Sequence, residues 1–183
     1  MTEWLLALML ALPAPAYAER EDSRAERFAT IALATADATE LDSEGWPYDP
    51  RDLATAALVV SWYESGRWNP RVHSGLRKGD HGRSHCLGGI MRGTGWWTLD
   101  EWKRSVGFDL GSTTTCMRLT TRALARHAGR CFGRNPGKLD GWKMAIVFYA
   151  YGSGKGCVKR PPKWAQSRAS TWARVERGSR EGQ

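Results

Sequence analysis

The stretch from Asp49 to Gly66 constrains this chain more than any other. Asp49-Pro50-Arg51-Asp52 supplies an N-cap, a proline at the first helical position and an acid at the third. Leu53, Ala57, Val60 and Glu64 then fall at i, i+4, i+7 and i+11, which lines them along one face of a helix that Gly66 stops. The fold has to bury that apolar stripe, and the stripe ends on a carboxyl group. A carboxyl that continues a buried apolar stripe is poorly hydrated and favours its protonated form, the state a general acid needs. Periodicity leaves two readings of Glu64 open, a catalytic acid or simply a helix C-terminal residue turned to solvent.

The rest of the chain reads as further helices around one long loop. Ser23-Arg24-Ala25-Glu26 is a capping box, and Phe28, Ile31, Ala32 and Thr35 follow at helical spacing, so a first helix should run to about Thr39. Residues 65–97 carry eight glycines and no sustained period, which predicts loop with at most a short hairpin around 86–92. Thr98-Leu99-Asp100-Glu101 opens a short helix that Gly107 ends. A helix over about 113–128 sets Cys116, Leu119, Ala123 and His127 on one face, with His127 read as a cation favourable to the helix C-terminus. Asp140 caps a helix carrying Trp142, Ala145, Ile146 and Tyr149 inward, and Gly152 terminates it. Pro161-Pro162 then break the chain before a last helix near 163–176, with Trp164, Arg168, Trp172 and Val175 on one side. The expected fold class is mainly α, with about six helices around a loop-rich segment and at most a short β-hairpin.

Residues 4–18 form an apolar run that ends Ala16-Tyr17-Ala18, the pattern of a signal peptide with an Ala-x-Ala cleavage site. The run is broken by Pro13 and Pro15 and is too short to span the ~30 Å hydrocarbon core, so no transmembrane anchor is expected after cleavage. The expected organisation is a signal peptide over 1–18 and a single domain over 19–183, acting in the periplasm or secreted. The whole chain carries +8 at pH 7, and because Glu3 is the leader's only charge the remainder carries +9. A basic surface suits a polyanionic partner. Nothing resembling a nucleic-acid motif accompanies the charge, so nucleic acid is not the expected partner. A monomer is expected.

Four cysteines, at 86, 116, 131 and 157, read in an exported chain as two disulfides. No Cys-x-x-Cys pair is present, so zinc is the poorer reading even with His81 and His85 nearby, and neither metal nor cofactor is expected. A helix from Cys116 towards Cys131 would hold these two roughly 20 Å apart, beyond the roughly 7 Å that a disulfide spans. That leaves 86–116 with 131–157, or 86–131 with 116–157. The first is preferred because it ties the glycine-rich loop to the next helix and the Tyr149 segment to the preceding loop.

Three blocks carry a resemblance. Glu64-Ser65 followed by Asn69-Pro70 resembles the Glu-Ser…Asn-Pro signature of the lytic transglycosylase (lysozyme-like) family, in which the Glu is the catalytic acid. Asp80 to Ile90 resembles the glycine-rich segment that follows the catalytic helix, and Tyr149-Ala150-Tyr151-Gly152-Ser153-Gly154-Lys155 resembles the Tyr-Asn-Ala-Gly-Pro-Gly-Arg block on the other wall of the cleft. Two positions depart from the pattern. The family's Gln falls on Gly89 or Arg92, depending on the anchor, and its Asn falls on Ala150.

The resemblance implies a lysozyme-like domain over 19–183 that cleaves the MurNAc-GlcNAc β-1,4 bond of peptidoglycan. Glu64 would serve as acid and then base, leaving a 1,6-anhydro end with neither metal nor second carboxylate. By the same resemblance Ser65, Ser84, Gly89 and Tyr149 belong to the substrate site. Of ten tryptophans, Trp96 and Trp97 beside the glycine-rich segment are candidates for stacking on sugar rings, as is Trp68, whereas Trp62, Trp142, Trp164 and Trp172 read as core. A hydrolytic lysozyme would need a second carboxylate, for which Asp80 is the candidate. A catalytically silent cell-wall binding or assembly protein is the alternative suggested by the missing Gln and Asn.

Overall fold

The computed structural model describes residues 1–13, 17, 20–74, 84–91, 112–133 and 136–181. Among them lie seven helices: α1 (Thr2–Ala11), α2 (Glu21–Asp42), α3 (Pro50–Glu64), α4 (Pro70–His73), α5 (Thr113–Phe132), α6 (Gly141–Ser153) and α7 (Lys163–Glu181). Between α4 and α5, β1 (Ser84–His85) pairs antiparallel with β2 (Ile90–Met91), Ser84 opposite Met91 and His85 opposite Ile90. The chain is thus mainly helical, and the short hairpin among the described residues sits at 84–91 rather than 86–92. The helix expected at 98–107 lies outside the described residues. Two helices were not anticipated as fold elements, α1 and the single turn α4.

α3 is the centre of the molecule. Its Asp49 cap accepts from Arg51 N at 2.8 Å with Pro50 at the first helical position, as the sequence indicates. Burial goes further than one stripe: Leu53, Ala54, Ala56, Ala57, Val59 and Val60 are completely inaccessible. A helix apolar all round is stable only when neighbours enclose it. Leu53, Ala56, Ala57, Val59 and Val60 face a cluster with Leu124 and Ala128 of α5, Phe148 of α6 and Trp172 of α7. Ala54, Leu58 and Trp62 face a second cluster with Phe28 and Ile31 of α2, Trp68, Leu87 and Val175. Each fully buried leucine or valine here contributes about 1.5–3 kcal/mol.

The segment expected as a leader forms α1, and its Leu5, Leu8, Met9 and Leu12 complete the second cluster. Tyr17 also donates from its hydroxyl to the carbonyl of Gly66, just after α3. Among the described residues no helix is long and apolar enough to cross a membrane.

α2 begins at Glu21, two residues before the Ser23 box, with Arg20 at the cap and no side-chain cap bond. Glu21 and Asp22 instead place acids in the first turn, where the helix dipole favours them. The helix continues to Asp42 rather than Thr39, and there the reason is tertiary. Arg118 Nε donates to Asp42 Oδ2 at 2.7 Å, and Arg122 pairs with Oδ1. Burial alone would push the Asp42 carboxyl up, but the hydrogen bonds and charges of the two arginines outweigh it and hold it below the usual carboxylate value.

Both disulfides take the preferred pairing, Cys86–Cys116 with Cα atoms 5.9 Å apart and Cys131–Cys157 at 5.7 Å. All four cysteines are thereby used, so none is a thiolate for a metal. α5 extends to Phe132, which puts Cys131 inside the helix rather than beyond it. α6 runs past Gly152 to Gly154, whose φ of 66° makes the left-handed stop. Asn69-Pro70 repeats the logic of Asp49-Pro50, with the Asn69 side chain accepting from Arg71 N at 2.9 Å, and this is why α4 forms.

Three side chains depart from expectation. His127 is 2% exposed, and burial followed by the charges of Arg130 and Arg126 pushes it down to about 3, so it is a neutral core residue and not a terminal cation. Trp142 and Trp164 are 48% and 41% exposed, so they are not core.

Two predictions come from this packing. Between pH 6.5 and about 3 the unfolded chain binds a proton at His127 that the folded chain refuses, so stability falls with pH in that window, by up to about 1.4 kcal/mol per unit. Asp42, held below 3.8, contributes its loss only further down. Urea melts at pH 7 and pH 4.5 should therefore differ less for His127→Leu than for the parent chain. Replacing Cys131 and Cys157 by serine opens a loop with a sequence separation of 26 and should cost about 2–4 kcal/mol, read from the same melts.

Candidate active site

Glu64 is the last residue of α3, and the chain leaves the helix there by a sharp turn. Gly66, Arg67 and Trp68 all have positive φ, 64°, 64° and 55°. Two non-glycine residues in the left-handed region cost energy that the surroundings must supply. Ser65 Oγ donates to Ser61 O at 2.5 Å and accepts from Trp68 N at 2.7 Å. Trp68 Nε1 donates to Ser61 Oγ at 2.8 Å, and Arg27 Nη1 donates to Trp68 O at 2.5 Å. The Trp68 ring is 1% exposed and meets Phe28 edge-on at 5.2 Å, so Trp68 is a core anchor of this turn and not a stacking platform. Ser65, 2% exposed, steadies the same turn.

The turn of the β1–β2 hairpin lies directly on Glu64. Gly89 has φ 64°, and a Cβ built on it would stand 2.7 Å from Glu64 Oε2 and 2.9 Å from Glu64 Cβ and Cγ. Only glycine admits that approach. The turn is held from below. Cys86 is tied to Cys116, Gly88 N donates to Cys116 Sγ at 3.1 Å, and Leu87 is 1% exposed. Tyr151 donates from its hydroxyl to Gly88 O at 2.5 Å. Burial first, and then the charge of Glu64, push the Tyr151 phenol up, so it remains a protonated donor.

On the other side α7 brings up Arg168. Its Nη1 sits 2.5 Å from Glu64 Oε1, with the two side chains 15% and 25% exposed. The guanidinium carbon lies 5.3 Å from the Tyr63 ring centre and 4.9 Å from that of Trp164. The Glu64 carboxylate is therefore partly open and ion-paired, which replaces the apolar surroundings expected for it.

The expected site residues fall into three groups. Glu64, Ser65 and Gly89 are brought together. Tyr149 lies one step away, its ring 6.0 Å from that of Trp164. Ser84 belongs to β1, and Asp80, Arg92, Trp96 and Trp97 lie outside the described residues. Among the described residues no group of three or more His, Cys, Asp or Glu is set to hold a metal.

Two residues at Glu64 were missed as site residues. Tyr151 follows Met144 and Phe148 at i+7 and i+3, the inward spacing of α6, and that periodicity was a signal for it. Arg168 lies four residues from both Trp164 and Trp172, a cation interrupting an aromatic stripe, which was a signal as well. An open groove of about 830 Å³ lies elsewhere, between the end of α2, residues 44–47 and α5, and its Asp42 and Arg122 are already paired with each other. No protein-family model, curated protein or solved structure matches this chain.

Gly89→Ala should both strain the backbone, by about 1–2 kcal/mol, and displace the Glu64 carboxyl. Gly178 is exposed on α7 with open space around it, so Gly178→Ala should instead be neutral or stabilising by roughly 0.5–1 kcal/mol. Thermal melts of the two variants should move in opposite directions or leave only the first displaced.

Proposed function

We propose that this chain is a peptidoglycan lytic transglycosylase that uses Glu64 as general acid and then general base. What carries the reading is convergence: the end of α3, the 86–89 part of the glycine-rich segment and Tyr151 of the Tyr149–Lys155 block, each from a segment that resembles the family, come together at one carboxyl group. In the first step Glu64 gives its proton to the glycosidic oxygen as the bond from C1 of muramic acid to that oxygen breaks. In the second it takes the proton of the sugar's own C6 hydroxyl as that oxygen bonds to C1, closing the 1,6-anhydro ring. No water is consumed and Glu64 regains its proton. Tyr151 and Gly89 would keep the carboxyl in place while this happens, and the backbone of Gly89 would set one wall of the sugar site.

Peptidoglycan as partner agrees with the net charge of +8, because the wall carries peptide carboxylates and acidic polymers. A periplasmic or secreted location agrees with the two disulfides. A second reading, a silent cell-wall binding protein, is favoured by one observation: Glu64 is ion-paired with Arg168 in the free chain. The missing Gln and Asn point the same way. A hydrolytic lysozyme rests on Asp80.

The test is digestion of purified peptidoglycan by the full chain with both disulfides formed, beside Glu64→Gln, with the new glycan ends identified by mass spectrometry. The expected result is 1,6-anhydro ends from the parent chain and a loss of at least roughly 100-fold in the variant. Reducing ends instead would assign water as nucleophile and turn attention to Asp80. Wall binding without any cleavage would establish the binding protein.

A further inference from the structure

Arg168 is more than a counter-ion. A guanidinium carries five N–H donors in one plane. Among the described residues its ion pair with Glu64 is the only polar partner it has, so most of the fork is uncommitted. Its orientation is nevertheless settled, because Tyr63 and Trp164 lie over it at 5.3 and 4.9 Å. Those rings are themselves held: the Tyr63 hydroxyl bonds Thr171 Oγ1 at 2.9 Å, and Trp164 leans on Tyr149 and covers Gly152, where any Cβ would stand 2.8 Å from it. Neutralising one carboxylate at the solvent edge needs a single charge. A flat, ring-clamped fork with donors to spare, beside a carboxyl that is itself partly open, is instead the arrangement that receives a planar anion in two-point fashion.

We propose that Arg168 is the receptor for a carboxylate carried by the glycan, an inference that rests on the glycan-cleaving reading above. The arriving carboxylate takes over the guanidinium and releases Glu64 towards the glycosidic oxygen. Without such an anion Glu64 stays tied to Arg168. The site therefore selects acidic glycans over neutral ones of the same ring structure. Two groups supply this chemistry: the lactyl carboxylate of muramic acid, free only where the peptide has been removed, and the carboxylates of the peptide itself, where the lactyl group is locked in an amide.

Calorimetric titration of the full chain, disulfides intact, separates these cases without requiring turnover. The ligands are neutral chitotetraose, a peptide-free GlcNAc-MurNAc tetrasaccharide, and the same tetrasaccharide bearing its peptides. At least one acidic ligand should bind roughly tenfold or more tightly than chitotetraose, the effect of one charge-assisted hydrogen bond, and the ligand that does so identifies the source of the carboxylate. Arg168→Gln should erase that margin, so that within the variant the acidic ligands bind no more tightly than chitotetraose. Arg168→Lys restores charge without the fork and should recover only part of it. Equal affinity of the parent chain for all three ligands overturns the inference, and so does an Arg168→Gln variant, folded by circular dichroism, that weakens neutral and acidic ligands alike. Failure of the parent chain to bind any of the three sinks the glycan reading itself.

Discussion

Enclosure of α3 on every side is the constraint on which the rest of the structure depends. Because residues 53–60 have no polar face, α2, α5, α6 and α7 must all close on them, and the two apolar clusters divide at this helix. The helix cannot shift or rotate without opening both clusters, since interiors pack too densely to absorb such a movement. Glu64 is the point at which that immobile rod reaches the surface. A carboxyl mounted there has its backbone position decided by the whole core.

Its side chain is then confined from two directions by groups of different kinds. The Gly88-Gly89 backbone presses on one side, and it is anchored by covalent and hydrogen-bonded ties to α5 and α6 through Cys116 and Tyr151. Arg168 stands on the other, carried by α7 and clamped by rings. The first is a fixed wall. The second is an electrostatic contact at a partly open position. The site thus combines a carboxyl on a rigid mount with a single ion-pair partner, and in the proposed reaction the same oxygen atoms would give a proton and then receive one.

The helix starts and the cysteine pairing were the legible part of this molecule. Asp49-Pro50 and Asp140 cap helices by bonds to residues two or three positions on, so their signal is contained in a few letters of sequence, whereas Asn69-Pro70 carries the same signal inside a stretch read as loop. The length of one helix excluded Cys116–Cys131, and the choice between the two remaining pairings rested on which loops each would tie down. Ser23 does not cap α2 although it has the right neighbours, because the helix already starts at Glu21 with acids in its first turn. Elsewhere a distant segment had intervened: Asp42 lengthens the same helix because Arg118 and Arg122 reach it from α5. His127, Trp68 and Trp164 each have the composition of one role and the burial of another.

For the site, the place of Glu64 at the end of α3 was readable because helix periodicity and a glycine stop are local properties, and the blocks around 84–90 and 149–155 stood out as patterns. Their meeting at Glu64 was not, nor was Arg168, which lies about a hundred residues along the chain from it. The sequence by itself determined where α3, α5, α6 and α7 begin, which helix has to be enclosed, and that four cysteines form two bridges. Only the tertiary structure decided which backbone rests on the carboxyl, which arginine pairs with it and which tryptophans remain exposed. The physical reason is range: caps, prolines and glycines act over one helical turn, whereas burial, ion pairing and ring stacking depend on which remote surfaces the enclosure of α3 forces together.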